Sequence, residues 1–389
     1  MLRPAPRRAL PGSRWSWRRA SRAAVCLLLV AAAWRQAHAQ EEPEKVQLHG
    51  FGSWAYGQTS NANTYLEGNP EGNYQNSSLA VNVSASLGAK LKIVAQEFFV
   101  EDQDGSEAAL DFAFAERGIS DHLMLRVGKV KHPFGISTEV FDVGTLRPFI
   151  KLPQAIYGPI GLVAEAYKGV GVTGSHPLGR RWHLSYDLYA GGIDVEEFVP
   201  PEAFLRGQPL VEGIETERKS TKDIIGGRAA FETPVDGLRF GFSAYTGNDI
   251  ESGHRTVYGT DIEYLSDRWS IRSEYAHESV VRDLRANATY VEIAYHFDPH
   301  WQAALQYNHL TTRLADVDAS IAPSLLDHKE EAAGLNYWFS PAFVVKLSFH
   351  RVEGNRFATP EPEDLSAAVT LGSLRTRTNL ILFGGQFSF

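Results

Sequence analysis

The chain stops at Gly384-Gly385-Gln386-Phe387-Ser388-Phe389, whose last four residues alternate polar and aromatic side chains up to the final position. Period two places Phe387 and Phe389 on one face of a strand and Gln386 and Ser388 on the other. A soluble domain rarely leaves an aromatic strand at its extreme end. In a closed barrel set in lipid, the last strand seals against the first and its outward rings meet the hydrocarbon. That reading can be tested against the rest of the chain.

The same alternation recurs throughout. Trp182, Leu184, Tyr186 and Leu188 oppose His183, Ser185, Asp187 and Tyr189, and Trp301, Ala303, Leu305 and Tyr307 oppose Gln302, Ala304, Gln306 and Asn308. Phe343, Val345, Leu347 and Phe349 oppose Lys346, Ser348 and His350, and Leu238, Phe240 and Phe242 oppose Arg239, Gly241 and Ser243. The pattern predicts about 16 strands, at 46–57, 77–87, 90–101, 108–118, 123–130, 163–174, 181–192 and 224–232 in the first half. The second half reads 238–247, 255–265, 269–279, 287–297, 301–312, 328–339, 343–353 and 377–389. Every second link is a tight turn built from Pro, Asp or Ser, such as Asp298-Pro299-His300 and Ser340-Pro341-Ala342. The intervening links, among them 58–76, 131–162, 193–223, 313–327 and 354–376, are expected to be longer. Such asymmetry fits an all-β, antiparallel transmembrane barrel with short periplasmic turns and long outer loops, better than a sandwich. Aromatics at strand ends, including Trp54, Tyr56, Tyr245, Trp269, Trp338 and Phe339, suit interfacial girdles.

The N-terminus agrees. Residues 1–39 hold eight arginines and no acid, then an apolar run from Ala23 to Trp34 and an Ala37-His38-Ala39 cleavage site. This reads as a secretory signal peptide, too short in its apolar run to span a bilayer as a helix. Residues 40–389 then form a single barrel domain, with no linker or composition shift. The only cysteine, Cys26, lies in the leader, so the mature chain has no disulfide, thiolate metal site or cysteine nucleophile. Without the eight leader arginines, 30 basic residues face 46 acids, a formal charge of −16. That balance disfavours nucleic acid as a partner.

Chemistry is sparse. There is no Gly-x-Ser-x-Gly elbow and no phosphate-cradling glycine loop, and the 13 histidines show no metal-ligand spacing. No enzyme activity and no cofactor are expected. The informative segment is 131–162, which carries Phe134, Phe141, Phe149, Ile150 and Leu152 and is unusually apolar for a loop in water. Folding into the lumen would bury these side chains and narrow the pore. Between Leu123 and Gly169 six basic residues (Arg126, Lys129, Lys131, Arg147, Lys151, Lys168) face Glu139, Asp142 and Glu165. Cations in a narrow lumen attract anions more strongly than in bulk water. The pore-constriction candidates are therefore Arg126, Lys131, Arg147 and Lys151, with Glu139 and Asp142 as opposing charges. Parity also places Arg117, Arg228, Arg239, Arg272 and Lys346 on the lumen side, while acids are expected mainly in the outer loops.

The stretch Arg126-Val127-Gly128-Lys129-Val130-Lys131-His132-Pro133-Phe134-Gly135, with Arg147-Pro148-Phe149 and Leu152-Pro153-Gln154-Ala155-Ile156-Tyr157, resembles 16-stranded bacterial porins. The phosphate-selective group and its relatives are the suggested match. The resemblance implies an outer-membrane channel for passive diffusion of small hydrophilic solutes, phosphate or other anions among them. It further implies an inward third loop, a homotrimer, and contact with membrane lipid and lipopolysaccharide. Two alternatives stay open: a substrate-specific outer-membrane transporter, and a barrel with enzymatic or structural duty.

Overall fold

A computed structural model describes residues 46–63, 65–102, 105–137, 143–159, 162–198, 216–249, 253–281, 284–314, 326–358 and 375–389. The leader and its cleavage site fall outside the described residues.

Sixteen strands form one closed barrel in which each strand pairs antiparallel with its sequence neighbours. They begin with β1 (Val46–Thr59), β2 (Ser77–Leu87), β3 (Leu91–Asp102) and β4 (Gly105–Ser120). Next come β5 (Leu123–Lys131), β6 (Ala166–Leu178), β7 (Trp182–Phe198) and β8 (Thr216–Glu232). The second half opens with β9 (Leu238–Asp249), β10 (Gly253–Leu265), β11 (Trp269–Val280) and β12 (Leu284–His296). It closes with β13 (Trp301–Leu314), β14 (His328–Ser340), β15 (Phe343–Glu353) and β16 (Arg377–Ser388). β16 returns to β1 with Phe51 opposite Ser388, and Gly50 and Phe389 exchange two backbone bonds, 3.0 and 2.8 Å. Gly50 must be bare there, since a Cβ would lie 2.2 Å from the Phe389 ring.

Closure settles which face is which. Leu188, Phe242, Leu305, Leu347, Phe349 and Phe383 are all exposed on the outside. An apolar belt of this extent on a soluble protein would far exceed the few hundred Å² that water tolerates, so the belt faces lipid. The polar set, such as Lys346, Ser348 and His350, is buried on the inside.

Several expectations need correction. Arg117 lies on the outward face beside Leu91 and Leu125, because a bulge at Gln96/Glu97 shifts the parity of β4. Tyr245 and Trp338 are not girdle residues. Tyr245 donates to the Leu162 carbonyl at 3.0 Å inside the barrel, and Trp338 shares the inner face with Val344. Three odd-to-even links, 103–104, 250–252 and 281–283, are as short as the periplasmic turns. There the strands stay paired almost to their ends, as Asp102 with Gly105 and Asp249 with Gly253 show. β7 and β8 likewise extend into the 193–223 stretch, with Val195 opposite Lys219.

Candidate functional site

The segment between β5 and β6 lies against the lumen wall, and its local chemistry explains the course. Pro133, Pro148 and Pro153 remove donors that a strand would need. Gly135 takes φ +70°, and a Cβ there would meet Glu274 Oε2 at 2.2 Å and the Tyr157 hydroxyl at 2.6 Å. Only glycine lets the backbone approach the wall so closely. Phe134, Phe149, Ile150, Ala155, Ile156 and Leu162 are each at most 2% exposed.

Two inward side chains fasten this segment. On β15, Lys346 Nζ donates to the carbonyls of Gly144 (2.7 Å), Arg147 (2.6 Å) and Phe149 (3.3 Å), and to Gln386 Oε1 (2.6 Å). An ammonium is the one lysine-sized group that can serve several acceptors at once. On β11, Glu274 accepts from the hydroxyls of Tyr157 and Tyr290, both at 2.6 Å, and from the Ile136 N–H at 3.2 Å. Asn336 adds a bond to the Pro148 carbonyl at 2.8 Å, and Gln386 one to Ile150 at 3.2 Å. Burial, then the Glu274 charge, holds the Tyr157 phenol well above its ordinary value. His132, fully buried with its Nε2 2.7 Å from the Tyr189 hydroxyl, is pushed down from 6.5 to about 3 by desolvation.

The sequence candidates separate. Arg147 lines a cavity of about 180 Å³ between the loop and the wall of β9–β12. Lys131 instead reaches a wider void of about 650 Å³ beside β1–β4, where it pairs with Asp111 at 2.9 Å. Arg126 lies on the lumen face, bound to Glu116 at 2.7 Å and near Asp187 at 3.8 Å. Lys151 is half-buried and lines neither void. Glu139 and Asp142 lie outside the described residues.

A row of charges on the opposing wall completes the smaller cavity. Arg239, Glu263, Arg272 and Glu292 stand directly opposite one another across β9, β10, β11 and β12. Arg239 bonds Glu263 at 2.6 Å, while Arg272 bonds Glu263 at 2.8 Å and Glu292 at 3.2 Å. The expectation that acids collect in the outer loops is thus corrected. The parity of Glu263 and Glu292 is legible in the sequence, since their neighbours Ile262 and Ile293 face outward. Arg228 meets Asp261 at 3.1 Å in the same way.

Ser348, His350 and Glu330 have the spacing of a nucleophile, base and orienting acid. Ser348 Oγ is 2.8 Å from His350 Nε2, and His350 Nδ1 is 2.6 Å from Glu330 Oε1. All three are at most 3% exposed, and the Phe149 ring of the loop packs edge-on to His350. Glu330 also accepts from Tyr65 at 2.9 Å and Asn308 at 3.0 Å. The cluster is a buried network joining the wall to the first outer loop.

Comparison with known proteins adds fold. No family model matches the chain, and no curated protein matches its sequence. Solved structures do. OmpF of Salmonella typhi aligns over 89% of this chain and 98% of its own at 12% identity, TM-score 0.53. The anion-selective porin of Comamonas acidovorans aligns over 89% and 100% at 11% identity, TM-score 0.54. The channel DcaP of Acinetobacter baumannii aligns over 89% and 97% at 9% identity, TM-score 0.54. The fold is that of the outer-membrane porins. At such identities the likeness reaches the porin fold in general and does not single out the phosphate-selective group.

Proposed function

We propose that this chain is a non-enzymatic diffusion channel of the bacterial outer membrane, exported by the leader at 1–39, through which small hydrophilic solutes pass down their gradients. The observation that carries the reading is the β5–β6 segment, held inside a closed 16-stranded barrel by Lys346 and Glu274. A loop tied across a lumen narrows it, and passive diffusion requires no chemical step. Homotrimeric assembly and contact with lipid and lipopolysaccharide belong to the same reading.

A local anion preference belongs to the same reading. Arg147, Arg239 and Arg272 line the smaller cavity together with Glu263 and Glu292. At 0.15 M salt, screening acts over roughly 8 Å, so outer-loop acids are damped while these close charges still act. Purified protein in a planar bilayer under a salt gradient should give an anion-signed reversal potential with chloride or phosphate. Replacing Lys131, Arg147 and Lys151 together by Glu should move it toward cations. A cation-selective wild-type channel, unmoved by that change, would overturn the anion preference; absence of conductance from folded protein would overturn the channel.

A further inference from the structure

We propose that the outward periplasmic rim of β3–β7 is a binding site for an anionic phospholipid, whose headgroup phosphate pairs with Arg117. The proposal goes beyond the channel reading and needs only the barrel's seat in the outer membrane, with its short turns toward the periplasm.

Arg117 is the first observation. It is exposed on the face that meets lipid, three residues before the end of β4 at Ser120. Its cross-strand neighbours are Leu91 on β3 and Leu125 on β5, and Val172 and Leu188 continue the same outward row across β6 and β7. The bulge at Gln96/Glu97 is what aims it there, since without the extra residue Arg117 would face the lumen and Glu116 the lipid. Glu116 points inward instead and binds Arg126. Arg117 makes no ion pair or side-chain hydrogen bond among the described residues.

Depth decides what such a charge can meet. A cation on the lipid face is costly at mid-membrane and tolerated close to the interface. At about 3.4 Å per residue and a tilt of about 40°, Arg117 stands roughly 8 Å from the end of its strand. An arginine stem can lie along the apolar wall while its head reaches back to the headgroups. There the planar guanidinium fork matches the oxygens of a phosphate. Trp182, exposed at the start of β7, marks the headgroup level on the same rim.

The rim itself is charged on one side. The three short turns at 88–90, 121–122 and 179–181 carry Lys90, Arg180 and Arg181 against Asp121. The four short turns between β8 and β15 carry the reverse, Asp236, Asp267 and Asp298 against Arg268. Histidines aside, cations therefore collect beneath Arg117 and acids on the far side of the barrel. The apolar row of Leu91, Leu125, Val172 and Leu188 gives acyl chains a seat directly beside the guanidinium. Free phosphate would use the charge and leave that row unused, so the phosphate is one carried on a lipid.

The test uses the full barrel in detergent, with native mass spectrometry reading bound lipid and oligomeric state together. Phosphatidylglycerol and phosphatidylcholine of matched chains share a phosphodiester and differ in net charge. Each cation near an anionic headgroup tightens binding about five-fold, so wild type should retain phosphatidylglycerol at least about ten-fold better. Arg117→Gln should lower that retention about five-fold, whereas Arg268→Gln on the acidic side should leave it unchanged. Inorganic phosphate in large excess should not displace the lipid. Heat-modifiable electrophoretic migration checks that each variant is folded, and the wild-type comparison of the two lipids decides the matter without any variant. Equal retention of both lipids overturns the site, as does an Arg117→Gln barrel that keeps phosphatidylglycerol like wild type. Displacement by inorganic phosphate would make it a site for the free ion and overturn the lipid. Dissociation of an oligomer by Arg117→Gln, with lipid retention unmoved, would mean that a second copy covers this face, and would likewise overturn it. Bilayer recording keeps the readings apart: a conducting channel without the lipid preference refutes the lipid site alone, and the preference in a folded, non-conducting barrel refutes the channel alone.

Discussion

Replacing Lys346 by Met should release the constriction while leaving the barrel closed. The ammonium makes four bonds, three of them to the carbonyls of Gly144, Arg147 and Phe149. A hydrogen bond to a charged group contributes about 1.5–3 kcal/mol. Its three N–H donors, shared among the four acceptors, would sum to roughly 5 kcal/mol at the low end. Against this stands the cost of holding a lysine that is 1% exposed away from water, several kcal/mol, which methionine does not incur. Lumen water can also reach some freed carbonyls. A net loss of about 2–3 kcal/mol in loop anchoring follows, equivalent to a roughly 30- to 150-fold rise in the released population. The strand ladder around Lys346 uses backbone groups only, so heat-modifiable migration should be unchanged. Single-channel recording should show higher conductance and greater open-channel noise than wild type. A folded variant with wild-type conductance and noise would show that Lys346 does not hold the loop.

Three further outcomes are expected. Because the His132 pKa is depressed to about 3 from 6.5, the unfolded segment binds a proton that the folded one refuses, so stability is full above pH 6.5 and falls as pH drops toward 3. At pH 4.5 the loss is on the order of a few kcal/mol, and a His132→Gln variant should show a shallower acid dependence of loop proteolysis than wild type; identical profiles would refute this. A Gly50→Leu change, whose side chain must displace the Phe389 ring, should slow refolding into detergent measured by electrophoretic shift, while the same change at Gly118, where the nearest atom to a Cβ is the Lys90 carbonyl oxygen at 4.0 Å, should spare the closing seam. Ser348→Ala should leave hydrolysis of a short-chain nitrophenyl ester at background, equal to wild type, and a loss of measurable turnover in the variant would revive the enzyme alternative.

The strands were legible because lipid outside and water inside impose a strict period of two on nearly every segment. Where the period failed, a specific device intervened. The β3–β4 bulge turned Arg117 outward, and the long β7–β8 hairpin extended into a stretch whose Glu and Pro content looked like loop. Site composition was harder to read. Parity can place Arg272 in the lumen, but its partners depend on register: Glu263 is opposite on one side and Glu292 on the other. Nor does local sequence reveal that Lys346 meets carbonyls about 200 residues earlier in the chain, at Gly144 and Arg147. Lys131 and Arg147 look like one cluster on the same loop, yet they line different voids.

The seam between Gly50 and Phe389 also sets the order of assembly. Every other strand pair joins neighbours in sequence and can form as a hairpin, but β1 finds its second partner only in the final residues. Until that contact is made, two strand edges carry unpaired backbone groups that hydrocarbon cannot solvate. A chain short of its last strand therefore has no resting state within the bilayer. Pairing of the last strand with the first removes both edges in one event, so β16 is the strand whose loss would leave the whole barrel open.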